Sequence, residues 1–395
     1  MVDAVPRPRP GGRIRLVVLY GGRSAEHEVS CVSARHVLAA CDPDRYQIEV
    51  IGIGTDGRWV DATPLLAVLP DDAAALPEPD VLLAGSWPLP SLPPPGSWPA
   101  DAAQQRIPAT LEPVGALQAD GAHTTVVWPV LHGPMGEDGT VQGLCEVAGV
   151  AYVGAGVAGS AAAMDKALAK TAFAGAGLPQ ARWLGVAAAG LADHDRDAVT
   201  GLVKQVEADL GWPVYVKPAN MGSTIGVSRA ADPGELVAAL DLAARYDDYL
   251  VVEEEIRGRE LEIGVLGLDP LLTSTVGEIK PSHDFYDFDD KYTSGTADLL
   301  VPAPIPEDVA DEMALLAVAA CRALRVDAMA RVDFFYDVDG RLLLNEINTL
   351  PGFTPISMYP RLWAASGVPY PHLVDQLVDL AIRRHQRRST RQTSR

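Results

Sequence analysis

Four polar residues in the C-terminal part of the chain could bind a metal ion and stabilise an anion: Arg331, Asp333, Glu346 and Asn348. They fall within or directly after two segments, residues 328–336 and 341–347, whose composition predicts β-strands. Residues 337–340 read Asp-Val-Asp-Gly, which predicts a tight turn between the strands. Side chains two positions apart on a strand share a face. The predicted hairpin would therefore bring two carboxylates, an amide and a guanidinium together.

Oxygen ligands of this kind suit Mg²⁺, which proteins bind through one or two carboxylates plus the phosphates of a substrate. The alternative is a polar hairpin edge with a surface ion pair. A Pro- and Gly-containing loop, residues 349–354, follows the second strand and can offer free backbone N–H groups to an anion. This loop favours the metal interpretation. The apolar side chains expected to anchor the hairpin to a core are Val332, Phe334, Leu344 and Ile347.

The elements that position this hairpin begin near the N-terminus. The apolar run 14–20 predicts a buried parallel strand, and a helix over 28–40 and a strand over 46–53 follow it. This order predicts a doubly wound α/β domain, in which ligands bind beyond the carboxyl ends of the strands. Glu26 lies at such an end, close to the start of the helix. Its carboxylate either complements the helix dipole or pairs with a substrate ammonium.

Residues 61–122 are less informative. Their abundant Ala, Pro and Gly predict an irregular insertion or a long surface loop, with a small strand or two near its start. Beyond it, further strands are predicted over residues 124–131, 151–153, 181–186, 214–217, 249–256, 261–268 and 273–279. Further helices are predicted over residues 141–148, 160–176, 198–210, 307–324 and 370–384.

Two glycine-containing stretches could contact phosphates. Gly154, Gly156 and Gly159 match a G-x-G-x-x-G pattern after a strand. The acidic residue that a dinucleotide site needs about 20 positions later is missing, which disfavours a dehydrogenase. Lys217 ends a buried strand, and the small residues of the loop 218–227 would let a backbone close over phosphates. The loop is not a P-loop, since its lysine precedes the glycines. An ordinary hairpin is the alternative, but the position of Lys217 favours a phosphate-binding role.

Composition narrows the class of protein. A chain of 395 residues is expected to form two or three domains. Its net charge of −20 disfavours nucleic acid as the main partner, because phosphate backbones attract basic surfaces. No apolar stretch is long enough to predict a transmembrane helix, and residues 1–13 lack the apolar core of a signal peptide. Four cysteines without metal-binding or redox spacing are expected to be reduced thiols of a cytoplasmic protein: Cys31, Cys41, Cys145 and Cys321.

In combination, the motifs resemble those of D-alanine–D-alanine ligases, a family of the ATP-grasp superfamily. The stretches that carry the resemblance are residues 21–30, 132–133, 136–139, 217–218, 222–223, 286–287, 291–292, 331–333, 345–349 and 351–352. The resemblance spans residues 14–384 apart from the insertion at 61–122. Two departures are mild: Thr224 stands where the family often has a second serine, and Phe288 stands where it often has tyrosine.

The resemblance implies a mixed α/β (α+β) fold with two parts. A doubly wound parallel-sheet domain would cover residues 14–154. A two-subdomain ATP-grasp fold would follow, with a central subdomain over 155–252 and a C-terminal subdomain over 253–385. Residues 1–13 would be a disordered lead-in, and residues 386–395 a disordered basic tail.

The resemblance also implies a set of ATP-binding residues: Lys166, Lys217, Glu253, Glu255, Ile256, Glu260 and Lys291. The first two lysines would contact phosphates. Glu253 would accept from the adenine amino group, Glu255 and Ile256 would lie along the base, and Glu260 would bind the ribose.

On the amino-acid side, the resemblance implies that Glu26 binds the ammonium of the first D-alanine. His132 and Ser357 would be further substrate-binding residues. Arg331 and the backbone N–H of Gly352 would form an oxyanion hole.

A lid over residues 282–296 would close the site, with Ser223 and Tyr292 linking it to the N-terminal domain. The implied metal ligands, which would hold two Mg²⁺ or Mn²⁺ ions, are Asp333, Glu346 and Asn348. Together these roles imply ATP-dependent ligation of two D-alanines through a D-alanyl phosphate, for peptidoglycan precursor synthesis. The enzyme is expected to be a cytoplasmic homodimer that binds ATP and D-alanine and neither nucleic acid nor membrane.

Two alternatives remain. The chain could be a D-alanine–D-lactate ligase or another ATP-grasp carboxylate–amine ligase, or a non-catalytic nucleotide-binding protein on the same fold. Lys291 and Tyr292 in the inner part of the lid, with His283 only at its start, favour the dipeptide enzyme. The complete set of metal ligands argues against lost catalysis.

Overall fold

The computed structural model describes residues 12–67, 69–70, 72–84, 110–119, 121–190, 196–280 and 298–392. The strands in these ranges are β1 (Ile14–Gly21), β2 (Tyr46–Ile53), β3 (Trp59–Asp61), β4 (Thr110–Leu111), β5 (Thr125–Pro129), β6 (Ala151–Tyr152), β7 (Trp183–Ala187), β8 (Val214–Pro218), β9 (Ser228–Ala230), β10 (Tyr249–Glu254), β11 (Gly258–Gly267), β12 (Leu272–Lys280), β13 (Asp298–Leu300), β14 (Ala328–Asp337) and β15 (Leu342–Asn348). The helices are α1 (His27–Ala40), α2 (Pro79–Leu83), α3 (Pro113–Leu117), α4 (Thr140–Ala148), α5 (Val157–Met164), α6 (Lys166–Gly175), α7 (Arg196–Asp209), α8 (Pro233–Ala243), α9 (Glu307–Leu324), α10 (Met358–Ala365) and α11 (Tyr370–Ser389), and a 3₁₀ helix covers Thr63–Ala67.

The first sheet has six strands in the order β4-β3-β2-β1-β5-β6. β1, β2, β5 and β6 run parallel, and β3 and β4 add antiparallel strands at one edge. Every residue of β1 is buried, because its alternate side chains enter two separate cores. Leu16 and Val18 pack on one face of the sheet, and Val17 and Leu19 pack on the other. This confirms the predicted doubly wound arrangement and places Glu26 just after the carboxyl end of β1.

The other two sheets are antiparallel. One has the order β7-β10-β8-β9 and packs its apolar face on α7 and α8. The other has the order β13-β12-β11-β14-β15 and packs on α6 and α9. Together with the first sheet they confirm the predicted mixed α/β fold.

The predicted helix over residues 160–176 is wrong as a single element, because α5 and α6 are separated at Asp165. The side chain of Asp165 caps α6 by accepting from the backbone N–H of Leu168 at 2.9 Å. The backbone N–H of Lys166 donates to the carbonyl of Ala219 at 3.0 Å, a tertiary bond that an uninterrupted helix could not make.

The C-terminal helix is longer than predicted. α11 continues to Ser389 instead of ending at residue 384, so the start of the predicted disordered tail is helical. Arg388 explains the extension, since its guanidinium pairs with Glu146 and donates to the hydroxyl of Tyr152 at 3.2 Å.

The glycine pattern after β6 serves close packing. A Cβ atom at Gly156 would lie 2.6 Å from Nη2 of Arg388, and one at Gly159 would lie 2.8 Å from the carbonyl oxygen of Arg325. The contact with backbone excludes a side chain at Gly159, and a side chain at Gly156 would displace the guanidinium of Arg388. The pattern is therefore explained without a dinucleotide, as the missing acidic residue had suggested.

The described parts of the insertion are partly regular. They contain β3, β4, α2, α3 and the 3₁₀ helix, so two small strands do extend the first sheet. Residues 85–109 lie outside the described ranges. None of the described helices is both long enough and apolar enough to cross a membrane.

Candidate active site

A cavity of about 590 Å³ is lined by residues of the two antiparallel sheets, by residues of helices, and by loops that include those after β1 and β5 of the first sheet. Twelve of the seventeen residues singled out from the sequence line it: Glu26, His132, Lys166, Lys217, Ser223, Glu260, Arg331, Asp333, Glu346, Asn348, Gly352 and Ser357. Glu253, Glu255 and Ile256 do not line this cavity. Lys291 and Tyr292, with the rest of the predicted lid, lie outside the described residues.

The hairpin of β14 and β15 has the predicted geometry. Arg331 pairs with Asn348 across the two strands, and Asp333 pairs with Glu346. A register irregularity follows between Asp333 and Phe334. The anchoring side chains are buried in one core, as predicted: Val332, Phe334, Leu344 and Ile347. The two polar faces therefore converge on the cavity because the strands alternate polar and apolar residues.

Arg331 is held by two carboxylates. Its Nε and Nη2 donate to Oδ1 and Oδ2 of Asp333 at 2.8 and 2.7 Å. Glu262, which pairs with Asp333 on the neighbouring strand β11, lies 3.1 Å from Nε. Burial acts to lower the pKa of Arg331, but Asp333 and Glu262 outweigh burial and raise that pKa well above its usual value. The guanidinium is thus a fixed positive charge at the cavity wall.

Sequence reasoning missed Glu262. The available signal was its spacing, because it lies two residues after Glu260 at the start of a predicted strand and so shares the face of that residue. The structure places both carboxylates in the cavity wall.

The oxygen atoms of the hairpin fit the expected metal site. Asp333 and Glu346 lie side by side, and the amide of Asn348 is held by accepting from the backbone N–H of Leu350 at 3.1 Å. Such oxygen ligands, completed by substrate phosphates and water, suit Mg²⁺. No cluster of three or more His, Cys, Asp or Glu side chains suited to a metal occurs within the described ranges. The expected set of Asp333, Glu346 and Asn348 contains only two such side chains, because its third ligand is an amide.

Two lysines approach the same end of the cavity. Nζ of Lys166 donates to the carbonyl of Met221 at 2.7 Å and lies 3.8 Å from Oε2 of Glu346. Nζ of Lys217 lies 2.5 Å from Oε2 of Glu253. Burial acts to lower the pKa of Lys217, but the nearby carboxylates, Glu253 foremost, raise it. Both lysines are therefore placed to meet an anion that enters the cavity.

Glu253 lies behind Lys217, where it also forms an ion pair with Lys170. Burial acts to raise the pKa of Glu253, but Lys170 and then Lys217 outweigh burial and lower it to about 2. The next two glutamates have other partners. Glu254 pairs with Arg182, and Glu255 pairs with Arg229 and Arg257. Three consecutive carboxylates are thereby kept apart from one another.

Glu26, on the loop after β1, also lines the cavity and is largely buried. Its Oε1 accepts a hydrogen bond from the hydroxyl of Ser223 at 2.5 Å. This contact joins the loop after β1 to the loop after β8. The predicted link between the lid and the N-terminal domain also involves Tyr292, which lies outside the described residues, so that link stays a prediction.

His132 is buried beside Glu26. Its Nδ1 lies 3.2 Å from the carbonyl oxygen of Leu350, and its Nε2 lies 3.1 Å from the hydroxyl of Ser33. Burial acts to lower the pKa of His132, but Glu137, at 3.8 Å, and Glu26 raise it. Burial in turn raises the pKa of Glu137. His132, Glu137 and Glu26 therefore form a buried acid–base cluster in the cavity wall.

The loop after β15 crosses from the hairpin to the first domain. Besides the contact from His132 to Leu350, the backbone N–H of Phe353 is 3.4 Å from the hydroxyl of Ser33. The backbone N–H of Thr354 donates to the hydroxyl of Ser357 at 3.0 Å. The loop therefore fixes Gly352 and Ser357 between Glu26 and the hairpin.

The cysteines take no part in this site. All four are free, and burial raises the pKa of each thiol to about 12: Cys31, Cys41, Cys145 and Cys321. A thiol that stays protonated at neutral pH is a poor nucleophile, which agrees with the sequence expectation.

Comparison with known proteins gives the family. The family described as D-ala D-ala ligase N-terminus matches residues 15–155, and the one described as D-ala D-ala ligase C-terminus matches residues 172–379. The D-alanine–D-alanine ligase of Geobacillus kaustophilus is 41% identical over 382 residues, covering 96% of this chain and 97% of the relative. That of Mycobacterium sp. (strain KMS) is 45% identical over 384 residues, covering 94% and 97%.

Solved structures agree with these matches. The D-alanine–D-alanine ligase of Coxiella burnetii superposes with a TM-score of 0.75 at 33% identity, covering 95% of this chain and 96% of that structure. The VanG D-Ala:D-Ser ligase of Enterococcus faecalis gives a TM-score of 0.75 at 30% identity, covering 94% and 100%. The motifs, the fold and the composition of the cavity lead to the same conclusion: this chain belongs to the D-alanine–D-alanine ligase family.

Proposed function

We propose that this chain joins two D-alanines into D-alanyl-D-alanine for peptidoglycan precursor synthesis, with conversion of ATP to ADP and phosphate. The observation that carries the proposal is the composition of the single cavity just described. A buried carboxylate, Glu26, lines the same cavity as Lys166, Lys217 and the polar hairpin. An amino acid held by its ammonium at Glu26 would direct its carboxylate toward a phosphate donor at the lysines.

The first step makes the carboxylate reactive. A carboxylate oxygen of the first D-alanine attacks the γ-phosphorus of ATP, the bond to the β-phosphate oxygen breaks, and ADP leaves. Lys166 and Lys217 stabilise the negative charge that spreads over the transferring group. Two Mg²⁺ or Mn²⁺ ions, held by Asp333, Glu346 and Asn348, would add further charge neutralisation on the phosphates.

The second step forms the peptide bond. The unprotonated amine of the second D-alanine attacks the acyl carbonyl, and the oxyanion that develops is stabilised by Arg331 and the N–H of Gly352. Phosphate then leaves as the carbonyl re-forms, and the nitrogen loses a proton. Water would hydrolyse the acyl phosphate, so the site must be closed during the reaction. The predicted lid over residues 282–296 is assigned this role.

The decisive experiment measures phosphate release with ATP and D-alanine, and identifies the product by mass spectrometry. D-alanyl-D-alanine should form when D-alanine is supplied, and no dipeptide should form when L-alanine is supplied instead. ATP consumption without a dipeptide product would contradict the proposal. The predicted homodimer can be tested separately by analytical ultracentrifugation.

Glu26→Gln should weaken binding of the first D-alanine by about ten- to a hundredfold, because a charge-assisted hydrogen bond is worth about 1.5–3 kcal/mol. ATP affinity should stay nearly unchanged, since Glu26 is proposed to bind the amino acid while the phosphates are assigned to Lys166 and Lys217. Isothermal calorimetry with each ligand measures both constants. Glu28→Gln, two residues along on the exposed side of α1, is the matched control. Equal loss of ATP affinity would assign Glu26 a structural role instead.

The second substrate should be an amine at every pH. Dipeptide synthesis is expected to fall as the pH drops from about 9 to about 6, because a free amino group titrates above neutrality. With D-lactate present in competition, the ester product should not rise at low pH. An ester-forming ligase could use a lid histidine to reject the protonated amine of the second D-alanine, but the only predicted lid histidine, His283, stands at the start of the lid. Product analysis across this range, for the parent and for His283→Ala, is the measurement. Dominant ester at about pH 6 that is abolished in the variant would place the chain among ester-forming ligases.

A further inference from the structure

Lys170 is a buried charge that the reaction described above does not use. It lies on α6 one helical turn after Lys166 and is only 2% exposed. A lysine is rarely buried to this extent without a partner, because removing an ammonium from water is costly. Its partner is Glu253 on β10, which is also 2% exposed.

The three charged side chains form a layered arrangement. Lys217 lines the cavity, Glu253 lies behind it, and Lys170 lies behind Glu253. Oε2 of Glu253 faces Lys217 at 2.5 Å, and Oε1 faces Lys170. Glu253 is therefore shared between one lysine that reaches the cavity and one that does not.

The charge balance gives this sharing a consequence. With Lys170 present, the three groups carry a net charge of +1, and the attraction of Glu253 is divided between two cations. Without it, Glu253 and Lys217 would form a neutral pair inside the protein, where charges interact strongly. Lys217 would then be held by Glu253, and Glu260 and Glu346 would act on it as further negative charges. A phosphate entering the cavity would meet less positive potential.

We infer that Lys170 is a positioning residue: it neutralises Glu253 from behind, so that Lys217 stays available to the phosphates of a nucleotide. The inference rests on the proposed function, because it needs a nucleotide to bind with its phosphates at Lys217. Lys170 itself touches no substrate.

The test compares the affinities of ATP and AMP in the presence of Mg²⁺ by calorimetry. The ratio of the dissociation constant of AMP to that of ATP reports the contribution of the terminal phosphates. Contacts to the adenosine part cancel in this ratio. In Lys170→Met this ratio should fall by about tenfold or more, because the whole charge of Glu253 would then act on Lys217; a tenfold change corresponds to about 1.4 kcal/mol. Lys204→Met, on the exposed side of α7, is the control and should keep the parent ratio.

A second pair of variants tests whether Lys170 acts through Glu253. Glu253→Gln removes the charge that Lys170 is inferred to neutralise. Lys170→Met should then have no further effect, so the double variant should have the same ratio as Glu253→Gln alone. This comparison also decides the question if Lys170→Met alone does not fold, because the double variant buries no unbalanced carboxylate.

The outcomes are distinct. A folded Lys170→Met protein with the parent ratio would overturn the inference, as would a double variant with a lower ratio than Glu253→Gln. A parent protein that binds ATP no better than AMP would instead overturn the proposed nucleotide site itself. The inference would be supported if Lys170→Met lowers the ratio in the parent but not in the Glu253→Gln background. A role limited to packing would not depend on the charge of Glu253.

Discussion

Glu346→Gln is expected to lower turnover by more than about a hundredfold. The glutamine keeps the shape of the side chain but removes a negative charge beside Asp333, at a position that also faces Lys166 across 3.8 Å. Changes to groups that only support a metal ligand already cost about 10–100-fold, and Glu346 is proposed as a ligand itself. Initial rates of ADP release at saturating D-alanine, measured over a range of Mg²⁺ concentrations, check the prediction.

Two observations make this test specific. The half-saturating Mg²⁺ concentration should rise in the variant, because one of the two carboxylates of the expected site has been lost. Glu312→Gln, which removes an exposed carboxylate from α9, should leave both values unchanged. If Glu346→Gln kept near-parental turnover at ordinary Mg²⁺, the metal assignment would be wrong.

Arg331→Lys is expected to slow dipeptide formation by about 10²–10³-fold, the usual cost of losing one donor to an oxyanion. Lysine keeps the positive charge between Asp333 and Glu262, so the buried carboxylates are not left unpaired. It lacks the planar fork that lets Arg331 bind both oxygens of Asp333 and still present N–H groups to the cavity. The loss should therefore fall on the second step, in which the oxyanion forms.

Trapping separates the two steps. Hydroxylamine converts an acyl phosphate to a hydroxamate, so its yield reports D-alanyl phosphate formation independently of the dipeptide. In Arg331→Lys the hydroxamate yield should change far less than the dipeptide yield. Arg341→Lys alters another arginine of the same hairpin, one paired with Asp337 at the exposed turn, and should change neither. Equal loss of both products would assign Arg331 to phosphoryl transfer.

The hairpin could be predicted from the sequence because its information is local. Alternation of polar and apolar residues fixed which side chains of β14 and β15 share a face, and the turn residues fixed how the strands meet. The same applies to β1, whose unbroken apolar run required burial on both faces. Twelve residues of the cavity lining could be assigned from the family resemblance, since its motifs lie within or close after strands.

What could not be predicted depends on contacts between distant parts of the chain. Asp165 is a residue type that caps helices, but the Ala-rich stretch around it also suits a continuous helix, and the break is stabilised by the bond from Lys166 to Ala219. Likewise, three consecutive glutamates at the end of β10 and directly after it give no sign of which one is buried. The pairing of β10 with β7 and β8 decides this, and with it the meeting of Glu253 and Lys170. The ends of helices also depend on distant contacts. The extension of α11, for example, is stabilised by the contacts of Arg388 with Glu146 and Tyr152.

The loop that leaves β15 is expected to couple the binding of the two proposed substrates. It follows Asn348, the proposed metal ligand that ends β15, and it carries the carbonyl of Leu350 that contacts His132 and the backbone N–H of Gly352 that is proposed for the oxyanion. Thr349, Leu350 and Phe353 are each 2% exposed, so the loop cannot shift at one end without shifting at the other. A ligand that orders either end lowers the cost of ordering the other. If ATP changes the affinity for D-alanine by some factor, D-alanine must change the affinity for ATP by the same factor. This equality follows because the coupling free energy is a property of both ligands together.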